Sequence, residues 1–515
     1  MFVTSTQESR QLDQTAIDLG LPSIVLMENA SRSILRASLK FWPELESNPE
    51  LPVVVIAGPG QNGGDGLVLA RLFQSMGHPV KIALLGREPG GSAGINLALV
   101  RNLGIPLEHM YKIDDPFPDI PARALLIDAL LGTGLNSQVT DLMAMALEKM
   151  NIHNGPTLAV DLPSGLSGDT GLCLGRVKKA DLTVTVGTYK KGLFLNQGPI
   201  VSGTVMLGDI GLTPQMFQKV NPKGFYLDES LARTFLPPRP GFGHKGTFGH
   251  AVVVGGSVGK TGALALASLG ALRSGCGLVT AGHPQSTGAI MSQKLTSAMT
   301  LALPEEEPGQ LSPLAGEVLV RFMDNKKALG LGPGLGLGPG ARKTVSHVVK
   351  QLNKPLVLDA DALTLLKGSL NILPQATSPR ILTPHPGEAG QLLDLTPAEV
   401  QADRFQALDT LAGRSQAVVV LKGQHTLIKH PQSGRYLVNS TGNPALAVGG
   451  SGDVLTGIIT GLLAQGLEPL AAAGLGVYIH GRAGDLGVLR SGRRGLLPEE
   501  MAGFFPEIFT ELESL

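Results

Sequence analysis

From Leu51 onward the chain alternates short β-branched runs with helical patterns, and this alternation restricts the fold more than any other feature. Pro52 to Ala57 reads as a strand, Gly64 to Met76 as a helix and Val80 to Leu85 as a second strand. Ala124 to Ala129, Thr157 to Asp161 and Asp181 to Val186 continue the series. Strands separated by helices at these intervals predict a parallel sheet covered on both faces. Ahead of it, Pro22 opens a helical stretch through Phe41 that carries Ile24, Leu26, Met27, Ile34 and Leu35. The pattern weakens between Thr213 and Gly243, where Pro214, Pro222, Pro237, Pro238 and Pro240 crowd together. A domain boundary is expected there, near residues 220–235. A second α/β series then starts with Ala251 to Val254 and continues through Ala328 to Leu331, Pro355 to Leu358, Arg380 to Leu382 and Ala417 to Leu421. It closes with two helices, Val454 to Leu463 and Pro469 to Gly484. With 515 residues the chain is too long for one ordinary core, so two domains are expected, 1–220 and 221–515.

Glycine, at 68 residues, is close to twice its usual share of about 7%. With hydrophobic content at 43%, this fits a loop-rich α/β enzyme whose backbone approaches ligands closely, and excludes a disordered chain. Lys+Arg and Asp+Glu both total 42 with no long basic run, so neither nucleic acid nor a membrane surface is expected as a partner. Cys173 and Cys276 stand in no metal-ligand spacing and read as buried thiols. Met1 to Asp18 lacks the order of a signal peptide, and no apolar run of about 20 residues appears. The expectation is a soluble protein of a reducing compartment, the cytoplasm.

The stretch with most chemistry is Asn439-Ser-Thr-Gly-Asn-Pro-Ala-Leu-Ala-Val-Gly-Gly-Ser-Gly-Asp-Val-Leu-Thr456. Gly449, Gly450, Ser451 and Gly452 precede Asp453, and an apolar helical segment follows. Such a run leaves backbone N–H groups bare at a helix N-terminus, where an anion is favoured. A carboxylate beside a bound phosphate makes sense as the base that takes a proton from an attacking hydroxyl. The segment therefore suggests phosphoryl transfer to an alcohol; the plainer reading is a Gly-rich turn with Asp453 capping a helix.

In the first half, Gly58-Pro-Gly-Gln-Asn-Gly-Gly-Asp-Gly66 sits where a strand hands over to a helix. Gly58, Gly60 and Gly63 match the dinucleotide fingerprint, but the acid expected after the second strand is missing and Arg87 stands there instead. An ordinary hydride-transferring domain is disfavoured. Asp128-Ala-Leu-Leu-Gly-Thr-Gly134 and Asp161-Leu-Pro-Ser-Gly165 fall at the ends of later strands, and Met27-Glu-Asn-Ala30 lies on the leading helix. Taken singly, each could be simple turn or helix-surface chemistry. Together they resemble the NAD(P)H-hydrate epimerase family over residues 8–215, with Gln61 where the family usually has Asn. The resemblance implies a Rossmann-like three-layer domain that interconverts the R and S forms of hydrated NADH and NADPH. It implies that Asn62, Gly63, Gly64, Asp65 and Gly66, with Gly132, Thr133, Gly134, Leu135, Asn136, Ser137 and Gln138, hold the hydrate. It further implies potassium at Asn62, Asp128 and Ser164, and places Asp161 near the reacting carbon as the proton-transfer group.

In the second half, Gly255-Gly-Ser-Val-Gly-Lys260-Thr261 looks like a Walker A loop, yet only three residues separate Gly255 from Gly-Lys-Thr where four are needed. A P-loop is rejected, and Gly-Gly-Ser before a small-residue helix reads as a substrate-side turn. Gly332-Pro-Gly-Leu-Gly336, Asp359-Ala-Asp361, Thr383-Pro-His-Pro-Gly-Glu388 and Lys422-Gly-Gln-His-Thr426 each follow a predicted strand. Asp361 could equally be a helix N-cap, and His385 a turn histidine bonded to backbone. The set resembles the ribokinase superfamily and, within it, the ADP-dependent NAD(P)H-hydrate dehydratases, over residues 235–505. That resemblance implies a C-terminal ribokinase-like α/β domain using ADP and Mg2+. Lys422, Gly423, Gln424, His425, Thr426 and Gly452 would bind ADP; Ala263, Gly334, His385 and Asp453 would contact the hydrate. His385-x-x-Glu388 replaces the superfamily's Asn-x-x-Glu, which bears on any metal role of Glu388.

Two other readings stand against this one. A vitamin or sugar kinase with an accessory domain should keep Asn in the His385 element. A non-catalytic binding module in the first half is opposed by Asp128, Asp161 and Ser164 together. Small-residue stretches such as Leu470 to Gly476 suggest a homo-oligomer interface, although a core helix has the same pattern.

Overall fold

A computed structural model describes residues 1–514. The chain divides into two compact units, with the division between Gly224 and Phe225. In the first unit seven parallel strands lie in the order Leu107–Met110, Val80–Leu85, Val53–Ala57, Leu125–Ala129, Thr157–Val160, Leu182–Val186, Thr204–Gly208. Side chains alternate across the first of these in sequence. Val53, Val55 and Ala57 join one buried cluster with Leu67, Phe73 and Ile34, while Val54 and Ile56 join another with Leu126, Ala146 and Met150. Both faces are covered, so the unit is a three-layer Rossmann-like fold. The order reverses between Val53–Ala57 and Leu125–Ala129, and an open sheet of this kind binds ligands outside the carboxyl ends of its strands at that point.

The second unit repeats the logic. Seven parallel strands run Met299–Leu303, Leu278–Pro284, His250–Val254, Ala328–Leu331, Leu356–Leu358, Arg380–Leu382, Val418–Leu421, and the antiparallel pair Leu427–Lys429 and Tyr436–Asn439 extends one edge. The Gly255, Gly332, Asp359, Thr383 and Lys422 segments all follow the carboxyl ends of these strands. Helix Ser451–Ala464 packs on helix Thr261–Arg273 and on strands His250–Val254 and Ala328–Leu331. The two helices seat backbone against backbone: a Cβ on Gly457 would lie 1.9 Å from the Ala267 carbonyl oxygen, and one on Gly270 would lie 2.4 Å from that of Val454.

Three readings need adjustment. The helix expected from Gly64 begins at Gln61, and that expected from Val454 begins at Ser451. Low glycine propensity hides both starts. The stretch Leu470–Gly476 lies in helix Pro469–Ser491, where Ala472 to Gly476 are buried in the core of the second unit. This is the core-helix alternative. Among the described residues no helix is long and apolar enough to cross a membrane, and both cysteines are free thiols.

Candidate active sites

In the first unit, Asp128 near the end of strand Leu125–Ala129 is fully buried. Its Oδ1 accepts the Ser164 hydroxyl at 2.5 Å and its Oδ2 the Ser164 N–H at 2.8 Å. Asn62 Nδ2 donates to the Leu131 carbonyl at 3.1 Å, and Leu131 N–H donates to Ser164 Oγ at 2.8 Å. Asn62, Asp128 and Ser164 therefore converge, as expected from three separated segments. Burial pushes the Asp128 carboxyl up to about 6, against the pull of the Ser164 hydrogen bonds.

Asp161 follows strand Thr157–Val160 with a left-handed backbone, φ 64°, a region that Asp tolerates better than most side chains. Its Oδ1 accepts from Lys190 Nζ at 2.5 Å, the Thr185 hydroxyl at 3.0 Å and the Val186 N–H at 3.1 Å. Lys190 is 1% exposed and also donates to the Val186 carbonyl at 2.8 Å. Oδ1 is thus saturated by fixed donors, and the lysine's own bonds hold it in place. Two further carboxyls sit in the same field. Burial, with the charges of Asp161 and Asp13, raises Asp65 well above the carboxylate range. Burial raises Asp13 to about 6, the Lys190 charge opposing and that of Asp161 adding. Asp13 lies on helix Thr6–Asp18, one turn beyond Arg10, whose Nη2 donates to the Thr133 carbonyl at 2.5 Å.

Glycines in the expected hydrate loop have packing reasons of their own. A Cβ on Gly64 would lie 2.5 Å from Met27 Cε, and one on Gly66 would lie 2.6 Å from Ala129 Cβ. These two offer a ligand backbone only, while Asn62 and Asp65 carry the polar side chains.

The second unit holds a cavity of about 770 Å³ lined by Asp359, His385, Glu388, the run Lys422–Thr426, Asn439–Val448 in part, and Gly450–Asp453. Gly450 takes φ 96° and opens helix Ser451–Ala464, so Asp453 stands in its first turn. Burial and the neighbouring Asp359 push the Asp453 carboxyl up to about 7, with Lys422 opposing. Lys422 Nζ lies 2.9 Å from Asp359 Oδ1 and 3.8 Å from Glu388 Oε2. Burial would lower the Lys422 ammonium, but these two carboxylates outweigh it and hold the group above its ordinary value. Asp359 Oδ2 accepts the Thr456 hydroxyl at 2.6 Å, tying the strand end to the Asp453 helix. His480 Nε2 lies 2.9 Å from the Ser451 carbonyl, which fixes its proton on that nitrogen.

His385 caps helix Pro386–Leu393, its Nδ1 accepting the Gly387 N–H at 3.0 Å. The ring thus serves the backbone while its exposed side lines the cavity. Asp361 is the first helical residue, after Ala360, and no N-cap. It accepts from Lys260 Nζ at 2.9 Å and from the Gly336 N–H at 2.8 Å, so the Walker-like lysine pairs with a carboxylate. The Gly255 turn is bonded to the Gly332 turn through Ser257 N–H and the Gly334 carbonyl, 2.7 Å apart. Ala263 and Gly334 adjoin one another beside this turn and do not line the cavity.

Comparison with known proteins bears on both sites. The model of the YjeF-related protein N-terminus matches residues 23–192, and that of NAD(P)H-hydrate dehydratase matches 251–506. The bifunctional NAD(P)H-hydrate repair enzyme Nnr of Moorella thermoacetica is 38% identical over 522 residues, covering 100% of this chain and 97% of its own. The enzyme of that name from Coxiella burnetii is 36% identical, with 98% and 97% covered. The chain belongs to the bifunctional NAD(P)H-hydrate repair enzyme family. A crystal structure of the ADP/ATP-dependent NAD(P)H-hydrate dehydratase from Bacillus subtilis, crystallised with ATP and Mg2+, is 32% identical, covering 56% of this chain and 98% of that one, with TM-score 0.49. Within this repair-enzyme chain, sequence reasoning missed Lys190, Asp13, Arg10 and Thr456. Only the first helix carried a readable signal, Ser5-Thr-Gln-Glu8, which forms a capping box. Lys190 lies outside every motif and meets Asp161 only through the fold.

Proposed function

We propose that the protein repairs hydrated NADH and NADPH, interconverting the R and S epimers in the first unit and dehydrating the S epimer at the expense of ADP in the second. The observation that carries the reading is Asp453: a carboxyl held near neutrality, in the first turn of a glycine-led helix, lining a cavity in which the Lys422 ammonium stands close beside Gly452. A base of that pKa suits proton abstraction from an alcohol at neutral pH.

In the second unit Asp453 takes the proton of the ring hydroxyl as that oxygen bonds to the β-phosphorus and the bond to AMP breaks. The Gly450–Gly452 amides and Lys422 face the charge that develops on the phosphoryl oxygens. The ring-nitrogen electron pair then expels phosphate, and loss of a proton from the adjacent carbon restores the dihydronicotinamide. Lys422 to Thr426 and Gly452 bind the nucleotide, and His385 with Asp453 orients the hydrate; Ala263 and Gly334 extend that surface beyond the cavity. No group of three or more His, Cys, Asp or Glu side chains suited to a metal occurs among the described residues. Magnesium is read as a partner of the phosphates, with Glu388, which lines the cavity beside Lys422, as the carboxylate that would face it, and would neutralise phosphate charge there.

In the first unit, Asp161 is the proton-transfer group beside the hydroxyl-bearing carbon and acts through Oδ2, its Oδ1 being committed to Lys190. Asn62 and Asp65, with the backbone of Gly63–Gly66 and of Gly132–Gln138, hold the hydrate. Asp128, buried with no ion-pair partner within 4.0 Å among the described residues, fits a monovalent cation held with Asn62 and Ser164 oxygens. Potassium there would fix the two loops.

The test is one cuvette: both epimers of NADPH hydrate, ADP, magnesium and potassium, followed by absorbance of restored NADPH. Recovery of both epimers faster than they interconvert unaided is expected. Recovery of one epimer alone would make the first unit a binding module, and no recovery would return the kinase reading.

A further inference from the structure

Behind the Lys422–Thr426 run lies Arg404, 5% exposed and at the start of helix Arg404–Ser415. Its Nη1 donates to the Gln424 carbonyl at 2.5 Å and its Nη2 to the Leu421 carbonyl at 3.2 Å. Its Nε has no partner, and no carboxylate lies within 4.0 Å of the guanidinium among the described residues. A buried charge of this kind is costly unless it is compensated. The other buried arginine, Arg380, shows what compensation looks like. Arg380 Nη2 caps the carbonyls of Val349 and Leu352 at the C-terminal end of helix Pro339–Gln351, where the helix dipole favours a cation. Arg404 instead sits at the N-terminal, positive end of its own helix and is left with one loop carbonyl and one strand-end carbonyl.

The Gln424 carbonyl belongs to the run that lines the cavity, and the Leu421 carbonyl ends the strand that leads into it. Gly423 takes φ 149° and a Cβ there would lie 3.0 Å from Arg404 Nη2, so the loop closes directly on the guanidinium. His425, next in the run, takes φ 50°, a conformation that needs external support. Because a peptide unit is planar, fixing the Gln424 carbonyl toward Arg404 turns the His425 N–H to the opposite side. The positive charge also reaches His425, whose imidazole is held below its ordinary value by burial first, with Arg404 adding.

We infer that Arg404 is the positioning residue of the nucleotide loop, and that its buried charge is compensated when a nucleoside diphosphate places its phosphates on the other side of that loop. The inference rests on the second unit using ADP, as proposed above. It separates two quantities: ADP affinity depends on Arg404, and the phosphoryl-transfer step, which is run by Asp453, does not.

The experiment is calorimetric titration of the full-length protein with ADP, beside steady-state dehydration of the S hydrate, for wild type, Arg404→Met and Arg404→Lys. Wild type failing to bind ADP would overturn the reading of the second unit and this inference with it, whereas the variants test this inference alone. With wild-type binding in hand, Arg404→Met is expected to weaken ADP at least about tenfold and to abolish most of the ADP-induced rise in Tm. Its kcat at saturating ADP and its KM for hydrate should stay within about threefold of wild type. Arg404→Lys, which keeps the charge without the two-armed fork, should fall between. An ADP Kd for Arg404→Met within twofold of wild type overturns the inference, as does a loss of kcat with Kd unchanged. Should the Met variant not fold, Arg404→Lys decides: a several-fold weaker Kd supports it, and wild-type affinity overturns it.

Discussion

Asp453 and Lys190 show how much of each site rests on single charges. Asp453 must be ionised to accept a proton, and its carboxyl is held at about 7. Dehydration should therefore rise with pH through an apparent midpoint near 7, and Asp453→Asn should lose about 10²–10⁴-fold in rate while epimerisation persists. The same shift has a stability side. Its folded-state value lies above the ordinary 3.8, so the folded chain favours the protonated form. That contribution is full at low pH and is lost as pH rises through about 7. The Asn variant should hence gain on the order of 4 kcal/mol over wild type at pH 8, read by thermal or urea unfolding, and less than half of that at pH 5. Lys190→Met should act oppositely. It strips the cation from a buried pair and should destabilise by about 3 kcal/mol. Epimerisation should slow by about tenfold or more as Asp161 loses its anchor, with dehydration of pure S hydrate unchanged; an unaltered epimerase rate would show that Lys190 does not position Asp161. Motif reading could find Asp161 because it ends a strand in a polar turn. Lys190, 29 residues later, was invisible because only the tertiary fold brings the two together.

At the scale of elements, the helix that presents Asp453 is placed by glycines. Gly457→Ala would drive a methyl into the Ala267 carbonyl, one turn below Asp453. Overpacking of this kind costs about 2 kcal/mol, and the variant should show a lowered Tm together with reduced dehydration, epimerisation again being the internal control. Strands were the most legible elements. Val80–Leu85 and Ala328–Leu331 fall where β-branched and apolar runs put them, because buried parallel strands are read from composition alone. Helix starts were the least legible, since Gln61–Gly66 and Ser451–Gly452 are glycine-rich and helical only because the sheet edge beneath them demands close approach. Strands left unread include the short antiparallel pair Leu427–Lys429 and Tyr436–Asn439 and the sheet strands Leu107–Met110, Thr204–Gly208, Leu278–Pro284 and Met299–Leu303, most of which lie at sheet edges.

For the whole molecule, two units with separate residue sets imply two activities that can be taken apart. Asp161→Asn protein should dehydrate only the S hydrate, and Asp453→Asn protein should only epimerise. Mixing the two in one solution should restore recovery of both epimers; failure to do so, with each variant active by itself, would mean that the hydrate must pass within one chain. The division near residue 224 was legible because prolines cluster there and few periodic runs cross it. The Asp453 helix also has a mechanical consequence. At Gly457 and Gly270 it rests backbone on backbone against Thr261–Arg273, so there it has no room to move closer to that helix. The run Asn439–Gly450 that leads into it holds only the short turn Pro444–Leu446 as regular structure after its strand ends, and several of its residues line the cavity. The carboxylate proposed as the base would then be held from behind, one turn away at Gly457, as well as by the groups that line the cavity.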